Sequence, residues 1–338
     1  MARALITGIT GQDGSFLAKF LLSKGYEVYG IVRRTSTQNL WRLMALDVLN
    51  KVTLIPGDVT DPARMYEVIR DVKPDEVYHL ASQSHVGFSF ENPVSTSEAT
   101  GLSVLYLLDA IRRVDTSIRF YFAGSSELFG NVKSNGPLNE DTPFHPESPY
   151  AVAKLYGYWM TRVYRESYGM FAVSGILFNH ESELRGLDFV TRKISNAVAR
   201  IVLGLQRDLA LGNLKAKRDW GYAPEYVEAM YLMLSNERPV DYVVATGETH
   251  SVEEFVQEAF DYVGLDYHEY VRVDPRYMRP NDVNVLLGDH TRITNDLGWK
   301  PRTIFKELVH KMVNADIDRW TRYIDGEPVV FDAIFSSG

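Results

Sequence analysis

Residues 4–7, Ala-Leu-Ile-Thr, run without a break into Gly8-Ile-Thr-Gly11-Gln-Asp-Gly14 and then into an amphipathic stretch that reaches Lys24. Strand, glycine-rich turn and helix in that order commit the N-terminus to a βαβ unit, because glycine alone lets the chain turn this tightly between the two elements. Such a turn aims backbone N–H groups and a helix N-terminus at one point, where an anion such as a pyrophosphate would sit. Glycines also close strands and open turns in many other settings, so the triplet by itself leaves cofactor binding and plain turn chemistry equally open.

The rhythm continues. Apolar runs at 4–7, 27–32, 52–55, 76–80, 119–123 and 172–177 alternate with amphipathic stretches at 14–24, 63–72 and 95–114. Strands that read as continuous apolar runs are covered by helices on both faces. The fold class expected is therefore α/β: a Rossmann-like, doubly wound parallel sheet whose ligand crevice lies at the carboxyl ends of its strands, with a smaller mixed α/β C-terminal substrate lobe. From about residue 178 the alternation loosens into helical stretches at 189–204, 223–235, 252–263 and 305–323, a short run at 208–212 and one clear strand at 241–245. That strand needs a neighbour, since a lone strand makes no sheet, so the chain is expected to return to the first lobe. The expected division is a dinucleotide-binding domain over 1–178, with segments near 214–250 returning to it, a predominantly substrate-binding lobe over 179–323, and a tail over 324–338.

With 338 residues, 45% hydrophobic and 24% charged, the chain has enough material for a large core and a second lobe. A formal charge of −8 and a pI near 5.6 argue against general affinity for nucleic acid or membrane surfaces, while leaving room for a local basic groove. There is no cysteine, hence no disulfide and no thiolate metal site, and no metal-ligand set is read elsewhere. No window approaches the ~18 uninterrupted apolar residues of a membrane span, and the cytoplasm is the expected compartment.

Tyr150 and Lys154 stand four apart in Ser-Pro-Tyr-Ala-Val-Ala-Lys. On a helix they share a face, so the ammonium is expected to lower the phenol from its usual pKa of ~10 and make it a usable base for hydride transfer at a carbinol carbon. The segment Ala123-Gly-Ser125-Ser126-Glu127 ends a strand at the same crevice, offering two hydroxyls and a carboxylate. A serine there can steer a sugar hydroxyl, and Glu127 can remove a proton alpha to a new carbonyl and later deliver it to a leaving hydroxyl. A glutamate at this point in a chain also serves as a helix cap or surface charge. A 4-ketosugar reductase or 4-epimerase needs the Tyr/Lys pair without such a carboxylate, and a nucleotide-sensing binding protein needs none of these groups.

The second strand ends in Arg33-Arg34-Thr-Ser36, where an NAD-binding protein usually carries an acidic residue. Arginine suits a 2′-phosphate, so NADP is the expected cofactor, although a solvated pair is the plainer reading of two loop arginines. Asp58, after the third strand, either hydrogen-bonds an adenine amino group or closes its own turn.

Several blocks in order carry a resemblance over nearly the whole chain: the N-terminal glycine segment, Leu80-Ala-Ser-Gln-Ser-His-Val-Gly, Ser148-Pro-Tyr-Ala-Val-Ala-Lys-Leu-Tyr, Gly175-Ile-Leu-Phe-Asn-His-Glu-Ser, Phe189-Val-Thr-Arg-Lys, Leu211-Gly-Asn-Leu-Lys-Ala-Lys-Arg-Asp-Trp-Gly and Asp274-Pro-Arg-Tyr-Met-Arg-Pro. The chain resembles the extended short-chain dehydrogenase/reductases and, within them, the GDP-mannose 4,6-dehydratase family. The resemblance implies Tyr150 as base at O4, Lys154 as its electrostatic support and a ribose contact, Glu127 as acid/base at C5 and C6, and Ser125 as the group that orients O4. It implies cofactor contacts from Gly8, Gly11, Gln12, Asp13, Gly14, Arg33, Arg34, Ser36, Asp58, Val59, Leu80, Ala81, Gln83, His180 and Arg185. It implies GDP-sugar contacts from Ser84, Ser126, Asn179, Glu181, Val190, Lys193, Gly212, Asn213, Lys217, Arg218, Arg276, Arg279 and Asp282. Arginine forks suit diphosphate oxygens and a carboxylate suits ribose hydroxyls, while Lys193 or Arg218 alone would also fit a solvated face. The loop 33–42 resembles the family's segment for sharing cofactor contacts between subunits, which implies a homo-oligomer, tetramer or dimer. Two swaps depart from the family pattern, Ser125 where threonine is usual and Asp282 where glutamate is usual. Loss of the threonine methyl frees the hydroxyl's rotamer, so a bulkier GDP-manno-heptose or ketosugar reduction stays open beside GDP-mannose.

Overall fold

The computed structural model describes residues 1–37, 39–132, 136–278, 281–327 and 329. Six strands follow the apolar runs: β1 (Arg3–Thr7), β2 (Glu27–Val32), β3 (Thr53–Pro56), β4 (Glu76–His79), β5 (Arg119–Ala123) and β6 (Ala172–Leu177). Later strands are short: β7 (Asn179–Glu181), β8 (Leu209–Leu211), β9 (Lys217–Arg218), β10 (Trp220–Tyr222), β11 (Tyr242–Val244), β12 (His250–Ser251) and β13 (Val271–Val273). The main sheet is parallel in the order β11-β6-β5-β4-β1-β2-β3. Strand β11 finds the neighbour it needs in β6, with Val243 beside Ile176.

Leu5 packs into one buried cluster and its neighbours Ala4 and Ile6 into another, so both faces of the sheet are covered, as the unbroken apolar runs require. Helix Ala223–Ser235 returns to pack on helix Gln12–Ser23, and Ile293 and Trp299 join the same cluster, a late return that boundaries drawn from sequence do not separate from the second lobe. The second lobe has its own core, in which helices Val190–Val202, Val252–Tyr262 and Phe305–Ile324 pack together beside the β8/β13 pair.

The stretch expected as one helix over 95–114 is helical throughout but divided. Residues Ser97–Leu102 form a π-turn segment between Pro93–Thr96 and Ser103–Val114. Within that segment Gly101 passes so close to helix Pro149–Tyr168 that a Cβ would stand 3.3 Å from Ala153 O, one residue before Lys154. The π segment thus brings two helices together directly beneath the reactive groups.

Chain order in the sheet reverses at β1 and β4, and the crevice opens there. Gly8 has φ +72°, and a Cβ on it would stand 2.8 Å from Ala81 N. Thr7 Oγ1 accepts from the amides of Leu80 and Ala81, both at 3.1 Å, and so turns its proton to His79 Nδ1 at 2.7 Å. His79 Nε2 then donates to Ser103 Oγ at 3.0 Å, and burial holds this histidine neutral, down at about 3. His79 is therefore a fixed strut under the crevice, not a proton carrier.

Candidate active site

The glycine-rich turn is built without slack. Gly11 N donates to Gly8 O at 2.9 Å, and a Cβ on Gly14 would overlap Gly8 O. A Cβ on Gly11 would meet nothing but Gly8 O, at 3.2 Å, so that side of the turn is open. The helix that starts there, Gln12–Ser23, has no side chain capping its first amides. Open backbone over uncapped amides, at the sheet's switch point, fits the pyrophosphate of a dinucleotide. Asp13 in the first turn would oppose that anion, but His180 answers it. His180 Nδ1 donates to Phe178 O at 2.7 Å and Nε2 donates to Asp13 Oδ2 at 2.8 Å, which makes the ring an imidazolium. Burial works against both charges, yet the pairing wins: Asp13 falls to about 2 and His180 rises. Gln12 adds a second tie, donating to His180 O at 3.1 Å and accepting from Ser182 Oγ at 2.7 Å.

Helix Pro149–Tyr168 begins as its sequence dictates, with Pro149 in the first turn and Ser148 Oγ accepting from Ala151 N at 3.1 Å. Tyr150 and Lys154 are consequently side by side and buried, with Lys154 Nζ 5.7 Å from the centre of the Tyr150 ring. The expected depression of the phenol is not found. Burial pushes Tyr150 up to about 12, with the Glu127 charge adding to it and a hydrogen bond with Ser125 and the Arg185 charge only partly opposing. Lys154 does not offset this because burial lowers its own amine to about 7 and it donates to Ala123 O at 2.7 Å. Spacing in a sequence gives proximity, whereas the direction of the shift follows from desolvation.

Ser125 stands two residues beyond β5 and caps the 3-10 turn Ser126–Leu128, its Oγ accepting from Glu127 N at 3.2 Å. Ser126 is buried, and Glu127 is half-buried with its charge felt at Tyr150. The Ser125 hydroxyl and the charges of Glu127, Asp13 and Arg185 are thus all felt at Tyr150. Arg185 pairs with buried Glu181 at 3.1 Å and lies over the Phe189 ring at 3.6 Å. Leu80, Ala81 and Gln83 follow the carboxyl end of β4 and are half-buried. Gln83 donates to His85 O at 3.0 Å, and its own Oε1 is buried without a partner among the described residues. Val59 is buried nearby in the sheet core, and Asp58 is occupied by its own turn, accepting from Thr60 N and Oγ1 at 3.0 and 2.8 Å.

A second cluster gathers several residues that the sequence assigns to the nucleotide sugar. Asp282 accepts from Arg218 Nη2 at 3.1 Å and from Asn213 Nδ2 at 3.3 Å. Lys193 lies 3.5 Å over the Tyr277 ring, and Gly212 is glycine because a Cβ would overlap Tyr277 O. Asn179 and Val190 are half-buried at the edges of this lobe. Other expected residues stand apart. Arg33, Arg34, Ser36, Ser84 and Lys217 are exposed, Arg276 pairs with Asp274 at 2.8 Å with its side chain 80% exposed, and Arg279 lies outside the described residues.

Some residues that shape the site carry no sequence signal of it. Arg42 is buried and donates to Leu184 O at 2.7 Å and Thr10 O at 3.4 Å, tying the glycine-rich turn to the Arg185 loop. Asn131 donates to Glu147 at 2.6 Å and to Asp282 O at 3.3 Å. Tyr277 is legible only as one aromatic in an irregular loop.

Comparison with known proteins agrees with this geometry. A family model for GDP-mannose 4,6 dehydratase matches residues 5–312. The chain is 51% identical to GDP-mannose 4,6 dehydratase 2 of Arabidopsis thaliana over 98% of its length and 90% of that protein's. It is 49% identical to GDP-mannose 4,6 dehydratase of Homo sapiens over 93% of its length and 91% of that protein's. Among solved structures, Thermus thermophilus UDP-glucose 4-epimerase in complex with NAD superposes with a TM-score of 0.81 at 26% identity, covering 93% of this chain and 98% of the other. Sequence blocks, sheet order and the convergence of tyrosine, serine and glutamate all lead to one conclusion: the chain belongs to the GDP-mannose 4,6-dehydratase family.

Proposed function

We propose that this protein converts GDP-D-mannose to GDP-4-keto-6-deoxy-D-mannose with NADP as a retained cofactor. The observation that carries the reading is Glu127 on the turn that Ser125 caps, near enough to Tyr150 for its charge to act on the phenol. Epimerases and reductases of this architecture have no use for that carboxylate. A dinucleotide held at the Gly8–Gly14 turn would supply the hydride acceptor for C4 oxidation and the hydride donor for C6. Ser125 orients the C4 hydroxyl, and Tyr150 takes its proton as the phenolate, a form that a cationic nicotinamide ring beside it would favour against the burial that raises the free phenol. Glu127 removes the C5 proton, made acidic by the new ketone, and protonates the C6 hydroxyl so that it leaves as water. C5 would regain a proton drawn from solvent through Glu127 as C6 is reduced, the proton held by Tyr150 would pass to solvent, and the net change is loss of one water.

Arg33 and Arg34 support NADP over NAD: they follow β2, are exposed, and pair with no described residue, which leaves both forks to a 2′-phosphate. Arg218, Asn213, Asp282 and Lys193 support a nucleoside diphosphate end in the second lobe. A homo-oligomer is supported by Val152, Tyr156, Trp159 and Val163, which form an exposed apolar stripe on helix Pro149–Tyr168. W159D should then shift the sedimentation coefficient towards that of a smaller species.

Incubation with GDP-mannose in deuterated water tests the main reading. A 4-keto-6-deoxy product carrying deuterium at C5 is expected, and a 4-keto product without that label would remove the elimination step. GDP-manno-heptose run in parallel, turned over faster than GDP-mannose, would reassign the sugar to the alternative that Ser125 leaves room for.

A further inference from the structure

The loop leading out of β7, which carries Arg185, is gripped by arginines that the chemistry above does not use. Glu183 O accepts from Arg192 Nη1 at 3.1 Å and from Arg319 Nη2 at 3.0 Å. Leu184 O accepts from Arg42 Nε at 2.7 Å, and Arg185 O accepts from Arg192 Nη1 at 2.7 Å. Three successive carbonyls are thus held by side chains, by Arg192 from the next helix and by Arg42 and Arg319 from elements remote in sequence. Behind them Asp316 pairs with Arg192 at 2.8 Å and also with Arg319, and takes a hydrogen bond from Ser195 Oγ at 2.6 Å. Arg192 is 2% exposed and Asp316 is not exposed at all. Two guanidinium groups on one buried carboxylate leave an excess of positive charge, which the loop carbonyls absorb. A buried cluster of this kind is a costly way to join two helices, since apolar side chains of similar volume would serve as well or better. What it adds is direction, because each fork fixes one carbonyl.

We propose that Arg192, Asp316 and Arg319 are positioning residues for the dinucleotide site: from helices of the second lobe they set the 183–185 backbone, and with it Arg185, beside the glycine-rich turn. The inference rests on the cofactor reading above. Its link to the glycine-rich turn is direct: Arg42 joins Leu184 O to Thr10 O, and Ser182 Oγ donates to Gln12 Oε1 at 2.7 Å. The final helix, which touches none of the reacting groups, would in this way govern cofactor affinity.

R319K tests it in the full-length protein. Lysine keeps a cation on Asp316 and gives up the fork's second arm to Glu183 O. V313A, in the same helix, trims the second lobe's core and touches no part of the loop. NADPH and NADH are titrated by nucleotide fluorescence, and each variant is melted in parallel. R319K is expected to melt close to wild type while its dissociation constant for the preferred dinucleotide rises about tenfold, the scale of one charged hydrogen bond. V313A is expected to do the reverse, with a lower melting temperature and an affinity within about twofold of wild type. Equal affinity in R319K and wild type, or equal weakening in both variants, overturns the positioning role and leaves the cofactor reading standing. Wild type that binds neither dinucleotide overturns the cofactor reading, and the positioning role with it.

Discussion

The reacting end and the recognising end of this molecule are built by opposite means. At the reacting end Ser125, Tyr150 and Lys154 are all less than a tenth exposed, and each is fixed by local backbone: a capped 3-10 turn, a Ser-Pro helix start, and the carbonyl of Ala123. At the recognising end the cations already have partners. Arg218 is held by Asp282, Arg276 by Asp274, and Lys193 lies on Tyr277. Groups that stabilise a transition state lose effectiveness if they must first be moved, so the reacting end is rigid. Groups that capture an anionic ligand can exchange one partner for another, so the proposed recognising end holds its charges paired, as Arg218 is by Asp282, in partnerships a diphosphate could replace.

The contrast is broken most forcefully at the reacting end. Y150F should reduce turnover by about 10³-fold or more while GDP affinity changes by less than about twofold, since the hydroxyl takes part in proton transfer and its ring in packing only. Turnover near wild type in Y150F would take the base out of the mechanism. E127Q should cost about 10²-fold or more in product formation, with C4 oxidation continuing. Stopped-flow absorbance at the reduced-nicotinamide band checks this: a burst of reduced cofactor without water loss is expected, and absence of both would give Glu127 a part in the first step.

D282N sharpens the other half. Asparagine removes the charge that balances buried Arg218 and spares the reacting groups, so KM for the GDP-sugar should rise about tenfold with kcat within about threefold. A fall confined to kcat would mean that this cluster reaches the reacting carbon and that the two ends are not separate. R276A, at an exposed pair, should change KM by less than about threefold.

What the sequence made legible follows the same division. Long apolar strands and the 150/154 spacing are local signals, and the structure keeps both. Strands of two or three residues such as β9 and β12 carry too few side chains for any period to register, and they exist because chain ends already brought together can pair. Arg192, Asp316 and Arg319 read as ordinary charges on helix surfaces, and only tertiary packing buries them. The sign of the Tyr150 shift was likewise invisible, because desolvation belongs to the folded environment and not to residue spacing.

The smallest effect separates two aspartates, Asp13 half-buried and Asp219 buried, that differ in what faces them. Asp13 meets the His180 cation and falls to about 2, below its unfolded value, so it contributes stability that is present above about pH 4 and lost as pH falls towards 2. Asp219 meets only neutral donors, the amides of Thr246, Gly247 and Gly288 and the Thr246 hydroxyl, and burial outweighs them, raising it to about 6. Its protonated form is the one the fold prefers, so stability is full below about pH 4 and declines as pH rises through 6. Asparagine in that place cannot ionise and brings an amide group against N–H donors. D219N should therefore be less stable than wild type at pH 4, with the gap narrowing by about 1–3 kcal/mol between pH 4 and pH 7. Denaturant melts at each unit of pH measure the gap. A gap that widens with pH would show that four neutral donors are enough to hold the carboxylate charged, and that His180 is not what sets Asp13 apart.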